Sequence, residues 1–210
     1  LKKQEGNYKD LYFNYGLIYD LRNSSYKPSS GNRTSLYQEL PVISDNNEID
    51  NTFVFTQYKQ LSRTSDMVGK ASVYLKAVNT IDNSDVRISK RAKVPYNRLR
   101  GFEKGKIGPV DNTDYIGGNY VSALNLSTNL PSIFSTVEII DFSLFMDFAN
   151  VWGVDYDSTI NESNEIRSST GFAVNWLSPL GPMTFVLSTN LSKASTDQTE
   201  SFNFNLGTTF

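Results

Sequence analysis

The chain has 210 residues, of which 39% are hydrophobic, so it is long enough to bury one sizeable core. Its formal net charge is -2 and its isoelectric point lies near 5.2, and Lys and Arg are scattered, which argues against nucleic acid as a partner. The absence of both Cys and His removes disulfides, thiolate metal sites and histidine-based acid–base catalysis. We therefore expect no enzyme, no metal centre and no cofactor.

No stretch of the sequence approaches the ~18 consecutive apolar residues of a transmembrane helix. The chain is nevertheless rich in aromatic residues, with 12 Tyr and 13 Phe. In a transmembrane β-barrel, lipid-facing and lumen-facing residues alternate, so the average composition is polar. The composition is therefore compatible with a barrel that spans a membrane.

A period-2 pattern sustained over 11–22 predicts the first strand. This length suits a tilted membrane-spanning strand, which needs ~9 to 11 residues, better than a typical soluble strand. Behind it we predict, in chain order, a turn at 23–32, a strand at 34–42, an acidic loop at 44–50, and strands at 52–61 and 67–77.

A long polar segment at about 79–118 separates the fourth predicted strand from the fifth. A connection of this length without periodicity is either functional or disordered. Its central part, residues 94–109, combines arginine, glycine and apolar residues, including Arg100-Gly101-Phe102 and Ile107-Gly108-Pro109. We therefore predict a folded, functional loop here.

Alternation resumes after the loop, and it is clearest between residues 137 and 151. There Leu144 and Met146 would face outward and Asp147 inward. Short Pro/Gly turns and longer polar loops alternate, which is the asymmetry of an outer-membrane barrel. Alternation alone leaves a soluble β-sandwich open as the alternative. The predicted strands of this half are 119–130, 137–151, 166–176, 183–191 and 202–210.

Five motifs, in order along residues 12–210, resemble the BamA family of outer-membrane β-barrel assembly proteins. The last of them is an alternating strand that ends on an aromatic residue, as in the C-terminal signal of outer-membrane proteins. The motifs are Arg100-Gly101-Phe102 with Ile107-Gly108-Pro109; Gly117-Gly118-Asn119; Asp147 with Asn150-Val151-Trp152; Trp176-Leu177-Ser178-Pro179-Leu180-Gly181-Pro182; and Phe202, Phe204, Leu206 and Phe210 alternating with Asn203, Asn205 and Gly207.

The resemblance implies an all-β, antiparallel transmembrane barrel in the bacterial outer membrane. The family's barrel has sixteen strands, and the nine predicted here correspond to the eighth through the sixteenth. Residues 1–210 would be the C-terminal part of the barrel, with its first half and the periplasmic POTRA domains outside this chain. The odd strand number supports this independently, because single-chain bacterial barrels have even numbers.

For the loop, the resemblance implies an arginine that reaches into the barrel lumen and is held there by acidic side chains. Arg100, followed by Gly101 and Phe102, matches this arginine, and Asp147 matches one of the acids. The family's second acid is replaced by Asn125, an amide that offers only a neutral hydrogen bond. We therefore expect Asp147 to compensate the charge alone. We also expect Tyr96, Phe102 and Ile107 to pack the loop against the barrel.

The resemblance further implies a role in folding and inserting other β-barrel proteins. It places a lateral seam at the last strand, where Asn205 and Gly207 would weaken pairing. Expected partners are outer-membrane lipids, unfolded β-barrel clients and accessory assembly lipoproteins. The turn formed by Trp176, Ser178, Pro179, Gly181 and Pro182 would face the periplasm.

Two related functions remain open at this point. One is a two-partner secretion or TamA-like translocation pore of the same superfamily, and the other is the barrel of a patatin-like surface hydrolase. Domains upstream of the barrel would distinguish them. A calcium loop at Asp155 and Asp157 is not supported, because the EF-hand spacing is absent, and we expect a solvated acidic loop there.

Overall fold

A computed structural model of the chain describes residues 6–62, 64–130, 140–160, 162, 164–179 and 181–206. Three residues singled out above, Leu180, Gly207 and Phe210, lie outside these ranges. The strands are β1 (Asp10–Asp20), β2 (Gly31–Ser44), β3 (Glu48–Gln60), β4 (Val68–Thr80), β5 (Val110–Asp111), β6 (Asp114–Tyr115), β7 (Tyr120–Asn129), β8 (Ile140–Trp152), β9 (Arg167–Ser178), β10 (Gly181–Ser192) and β11 (Phe202–Leu206).

Nine of these strands form one antiparallel sheet in the order β1-β2-β3-β4-β7-β8-β9-β10-β11. Each strand pairs with its neighbour in the chain, except that β5 and β6 form a separate small hairpin between β4 and β7. Within the described residues the sheet is open, since β1 pairs only with β2 and β11 only with β10. The predicted all-β class and the nine strands are confirmed. No helix in the described ranges is long and apolar enough to cross a membrane.

The sheet has one apolar exposed face and one face covered by the chain itself. Leu17, Leu144 and Leu187 are 62%, 46% and 58% exposed on the outer face. On the inner face of β8, alternate residues Phe145, Asp147, Ala149 and Val151 are buried. The 13 residues of β3, β4 and β8 exceed the ~9 to 11 that a tilted membrane-spanning strand requires.

The predicted acidic loop at 44–50 is wrong in its extent. Only residues 45–47 connect β2 to β3, and Glu48 already begins β3 with its side chain buried. The sequence suggested a loop because an acidic side chain is rarely buried without a partner. Arg87, distant in the sequence, supplies that partner. The hairpin β5–β6 and the 3-10 turn Tyr96–Arg98 were not predicted.

The connection between β9 and β10 is the tightest of the sheet. Ser178 pairs with Gly181, so the two strands are only two residues apart in the sequence. The Ser178 hydroxyl donates to the Gly181 carbonyl at 2.7 Å, and Gly181 has φ +115°, a region open to glycine. Trp176 and Pro182 lie in the strands on either side.

We expect this 210-residue chain, expressed alone, to aggregate in water and to become monodisperse only in detergent. Both β1 and β11 present unpaired backbone groups that act as templates for other chains, and the outer face is apolar. Size-exclusion chromatography with light scattering, with and without detergent, measures this. A monodisperse water-soluble monomer would contradict the membrane barrel and favour a sandwich.

Candidate functional site

The connection between β4 and β7, residues 81–119, folds onto the inner face of the sheet, and we call it the inner loop. Its apolar side chains, including Leu99, Phe102 and Ile107, are buried and form one cluster with inward residues of β4, β7 and β8. Tyr96 does not share this packing, since it is 38% exposed, so the expectation for that residue is wrong. The main apolar core of the molecule is therefore the contact between the loop and the sheet.

Arg100 forms a two-pronged ion pair with Asp147 of β8. Its Nε and Nη2 atoms lie 2.7 and 2.8 Å from the two carboxylate oxygens, and its backbone N–H donates to Oδ2 at 3.1 Å. The guanidinium carbon also stands 3.5 Å from the centre of the Phe145 ring. Asp147 is fully buried. Bidentate charge-assisted bonds of this kind fix orientation as well as adding energy.

The backbone on either side of the Arg100–Gly101 bond is held closely by three strands. Gly101 has φ +89°, and an added Cβ would meet Ser188 Oγ at 3.1 Å and Ser169 Cβ at 3.3 Å, so glycine suits the position. The Arg100 carbonyl accepts from Ser169 Oγ at 2.5 Å, and the Gly101 carbonyl accepts from Asn190 Nδ2 at 2.9 Å. Strands β8, β9 and β10 thus all hold this short segment.

Asn125 takes part in the site in a way that the sequence did not indicate. Its amide N–H donates to Asp147 Oδ1 at 2.8 Å and to the Arg98 carbonyl at 2.7 Å. Its oxygen accepts from Arg98 Nη1 at 3.3 Å, while Ser72 Oγ accepts from the same nitrogen at 2.8 Å. Asn125 therefore bridges the carboxylate and the inner loop. Arg100 has Asp147 as its one carboxylate partner among the described residues.

A second ion pair, absent from the sequence analysis, holds the start of the inner loop. Arg87 Nε and Nη2 each lie 2.8 Å from an oxygen of Glu48 at the beginning of β3. Asp10 of β1 lies 2.9 Å from the same guanidinium, and the Tyr12 hydroxyl 3.0 Å. Arg87 and Glu48 are both buried. This cluster attaches the start of the inner loop to β1 and β3, near the edge of the sheet that β1 forms.

A third pair joins the inner loop to the connection between β8 and β9. Asp155 forms an ion pair with Arg91 and accepts from Val86 N at 3.0 Å and Asn119 Nδ2 at 2.8 Å. Burial opposes ionisation, yet these hydrogen bonds outweigh it and hold the pKa of Asp155 below its usual value. Asp155 remains exposed to solvent, as expected for this loop, and its ion pair with Arg91 is the feature that the sequence did not indicate.

A fourth pair is the most deeply buried of the set. Arg167, at the start of β9, and Asp197, in the connection 193–201, both have fully buried side chains. Nε and Nη2 of the arginine lie 2.9 and 3.1 Å from the carboxylate oxygens, and Nη1 donates to Asn150 Oδ1 at 3.0 Å. In the sequence, Arg167 lies on the opposite face of its strand from Phe172 and Val174, but no feature of the polar connection 193–201 marks Asp197 as its partner.

The last strand, β11, contacts both the sheet and the inner loop. Phe202, Phe204 and Leu206 are exposed on the outer face. Asn205 donates from Nδ2 to the Tyr96 hydroxyl at 2.8 Å. Among the described residues, five pairs join β11 to β10, from Met183 with Leu206 to Leu187 with Phe202. Gly207 and Phe210 lie outside the described residues.

Together, four buried or half-buried ion pairs position the inner loop and its neighbours. Asp147, Glu48, Asp155 and Asp197 each bind an arginine, and within the described ranges no three acidic residues converge as a metal site would require. These ion pairs fix the inner loop against the inner face of a membrane-spanning sheet.

The family model of the Omp85 superfamily domain matches residues 1–210. The outer membrane protein assembly factor BamA of Neisseria meningitidis serogroup B is 33% identical over 139 residues, which cover 53% of this chain and 17% of that protein. The BamA of Nitratidesulfovibrio vulgaris is 25% identical over 220 residues, covering 100% of this chain and 27% of that protein. This chain thus spans well under a third of the length of these relatives.

A solved structure gives the same result for the fold. The crystal structure of BamA from Haemophilus ducreyi lacking POTRA domains 1–3 superposes with a TM-score of 0.80 at 25% identity. The superposition covers 92% of this chain and 41% of that one. The described sheet is therefore part of an integral barrel of the bacterial outer membrane. From the whole-length family match and this likeness, the chain belongs to the Omp85 superfamily and has the barrel sheet of its BamA members.

Proposed function

We propose that this chain is the C-terminal part of the barrel of a factor that folds and inserts β-barrel proteins into the outer membrane. The first half of the barrel and the POTRA domains would belong to the rest of the protein. The observation that carries the proposal is the Arg100–Asp147 pair, which holds an Arg-Gly-Phe loop against the inner face of the sheet. The relatives named as assembly factors support it.

The mechanism would involve no bond chemistry. A lateral seam at β11 would open towards the lipid, and a client strand would add to the exposed edge by backbone hydrogen bonds. In support, β11 is an edge strand of the described sheet, where it pairs with β10 alone. Asn205 faces inward, where it contributes a polar contact to Tyr96 in place of apolar packing.

The partners follow from the two faces of the sheet. The outward apolar side chains fit outer-membrane lipids, and the edge of β11 fits an unfolded β-barrel client. Accessory assembly lipoproteins would bind elsewhere on the complete protein. Arg87, Arg91 and Arg100 of the inner loop are paired with carboxylates, and the formal net charge of the chain is -2, so nucleic acid is not an expected partner.

Depletion of the full-length protein in its own cell, followed by proteomics of the outer membrane, tests the proposal. We expect many different barrel proteins to fall together. A defect confined to one secreted polypeptide would instead identify a translocation pore of the two-partner or TamA type. Loss of a surface hydrolytic activity with normal barrel proteins would identify a hydrolase barrel.

Deleting Phe210 in the full-length protein should lower its level in the outer membrane several-fold, because the terminal aromatic would complete the sorting signal formed with Phe202, Phe204 and Leu206. Immunoblotting of membrane fractions measures it. Phe210→Tyr, which keeps the aromatic ring, is the control and should assemble normally. Equal levels for the deletion and the control would show that the terminal alternation is only a strand pattern.

A further inference from the structure

The connection that leads into the last strand is paired with the inner loop as a short antiparallel ladder. Glu103 N donates to the Gln198 carbonyl at 3.0 Å, Gln198 N to the Lys106 carbonyl at 3.0 Å, and Glu200 N to the Gly101 carbonyl at 3.1 Å. Phe102 and Thr199 face each other in this ladder. The Arg-Gly-Phe segment is therefore a pairing partner for residues 198–200, which end just before β11.

Asp197 stands at the start of this ladder and holds several groups at once. Its Oδ2 accepts from Ala194 N at 2.7 Å, and its Oδ1 accepts from Gly108 N of the inner loop at 3.4 Å. The same two oxygens bind Arg167 at the beginning of β9. Because this ion pair is fully buried, each member depends on the other to remain in place. The pair is thus the point where β9, the inner loop and the connection 193–201 meet.

Contacts before and after the ladder also join the inner loop to the connection 193–201 and to β11. The Tyr115 hydroxyl of the inner loop donates to the Thr196 carbonyl at 2.5 Å. Beyond the ladder, Asn205 of β11 donates to the hydroxyl of Tyr96, again in the inner loop. The sheet holds the same region through Ser188 N, which donates to the Ser201 carbonyl at 2.9 Å. The last strand is consequently fixed from two directions, by β10 and by the inner loop.

We propose that Arg167 and Asp197 are positioning residues that dock the connection 193–201 on the inner loop, so that release of this loop and loosening of β11 occur as one coupled event. The consequence for client insertion rests on the proposed function, in which β11 forms the seam. The coupling itself is a property of the barrel and is measured without any client.

The test is amide hydrogen exchange on the full-length protein in detergent or nanodiscs, comparing wild type with Asp197→Asn. The amide keeps the size of the carboxylate but removes its charge and presents a donor to Arg167. We expect exchange to accelerate by about tenfold or more in residues 101–106 and in β11 together, as local opening becomes easier.

Asp155→Asn is the matched control, because it too removes a carboxylate that binds an arginine, here Arg91 of the inner loop, but it lies away from the ladder. It should accelerate exchange around Val86 and Arg91 and leave β11 unchanged. If Asp197→Asn accelerates exchange only within 193–197, or if both variants loosen β11 equally, the proposed coupling is overturned.

Tyr115→Phe provides a milder variant if Asp197→Asn does not assemble. It removes one hydroxyl and should also accelerate exchange in β11, by a smaller factor than Asp197→Asn. An unchanged exchange rate in β11 would contradict the coupling. Client folding in proteoliposomes is measured separately. Faster exchange in β11 with unaltered client folding would support the coupling and refute the seam, whereas altered client folding with unaltered exchange would refute the coupling.

Discussion

Replacing Arg100 or Asp147 by Ala in the full-length protein will release the inner loop while the barrel still assembles. Each change leaves the other partner without its counter-charge. Removing one member of a dry buried pair costs roughly 3 to 5 kcal/mol, and we expect less here because a barrel lumen is partly wet and the Arg100 side chain is 21% exposed. Limited proteolysis of the reconstituted protein, read as cleavage rate within residues 81–119, measures the release.

The double variant decides whether the two residues act as a pair. Once either partner is lost, removing the second should add little, so the two single variants and the double variant should resemble one another. Asp147→Ala is expected to be somewhat the more severe, because Asn125 also loses its acceptor. Lys104→Ala is the control, since it removes the same charge from an exposed position of the loop. Simple addition of the two single effects would show that Arg100 and Asp147 are not partners.

Gly108→Ala should detach the second half of the inner loop from the sheet. Gly108 has φ +97°, and an added Cβ would stand 2.4 Å from Val151 Cγ1, far closer than atoms can approach. The substitution therefore combines backbone strain of about 1 to 2 kcal/mol with a steric clash in the apolar core. The same proteolysis assay should show faster cleavage than in the wild type.

Gly105→Ala separates these two causes. It also has a positive φ, +70°, but the nearest atom to its added Cβ is Lys93 Cδ at 4.0 Å. Only the strain remains, so the effect should be clearly smaller than at Gly108. Combining Gly108→Ala with Val151→Ala should recover part of the loss by making room. Equal effects at the two glycines would mean that the contact with Val151 does not hold the loop.

The sequence by itself determined that the chain forms a sheet and, within each recognised strand, which residues share a face. A period of two fixes the direction of every side chain once the strand is recognised, so Leu144 and Asp147 fall on opposite faces without knowledge of the fold. The turn at Pro179 and Gly181 also follows from local backbone preferences. The prediction that Arg100 and Asp147 approach each other came from the resemblance to the BamA family, since no local rule joins residues so far apart.

Only the tertiary structure decided which charged loop residues are buried. Glu48 and Arg87 are 39 residues apart, and Arg167 and Asp197 are 30 apart. In the sequence, Glu48 and Asp197 look like solvated loop residues, because the cost of burying a carboxylate is offset only when an arginine from another part of the chain pairs with it. Whether such a pair forms depends on the inward path of the inner loop. That path is imposed by the packing of Leu99, Phe102 and Ile107 against the sheet.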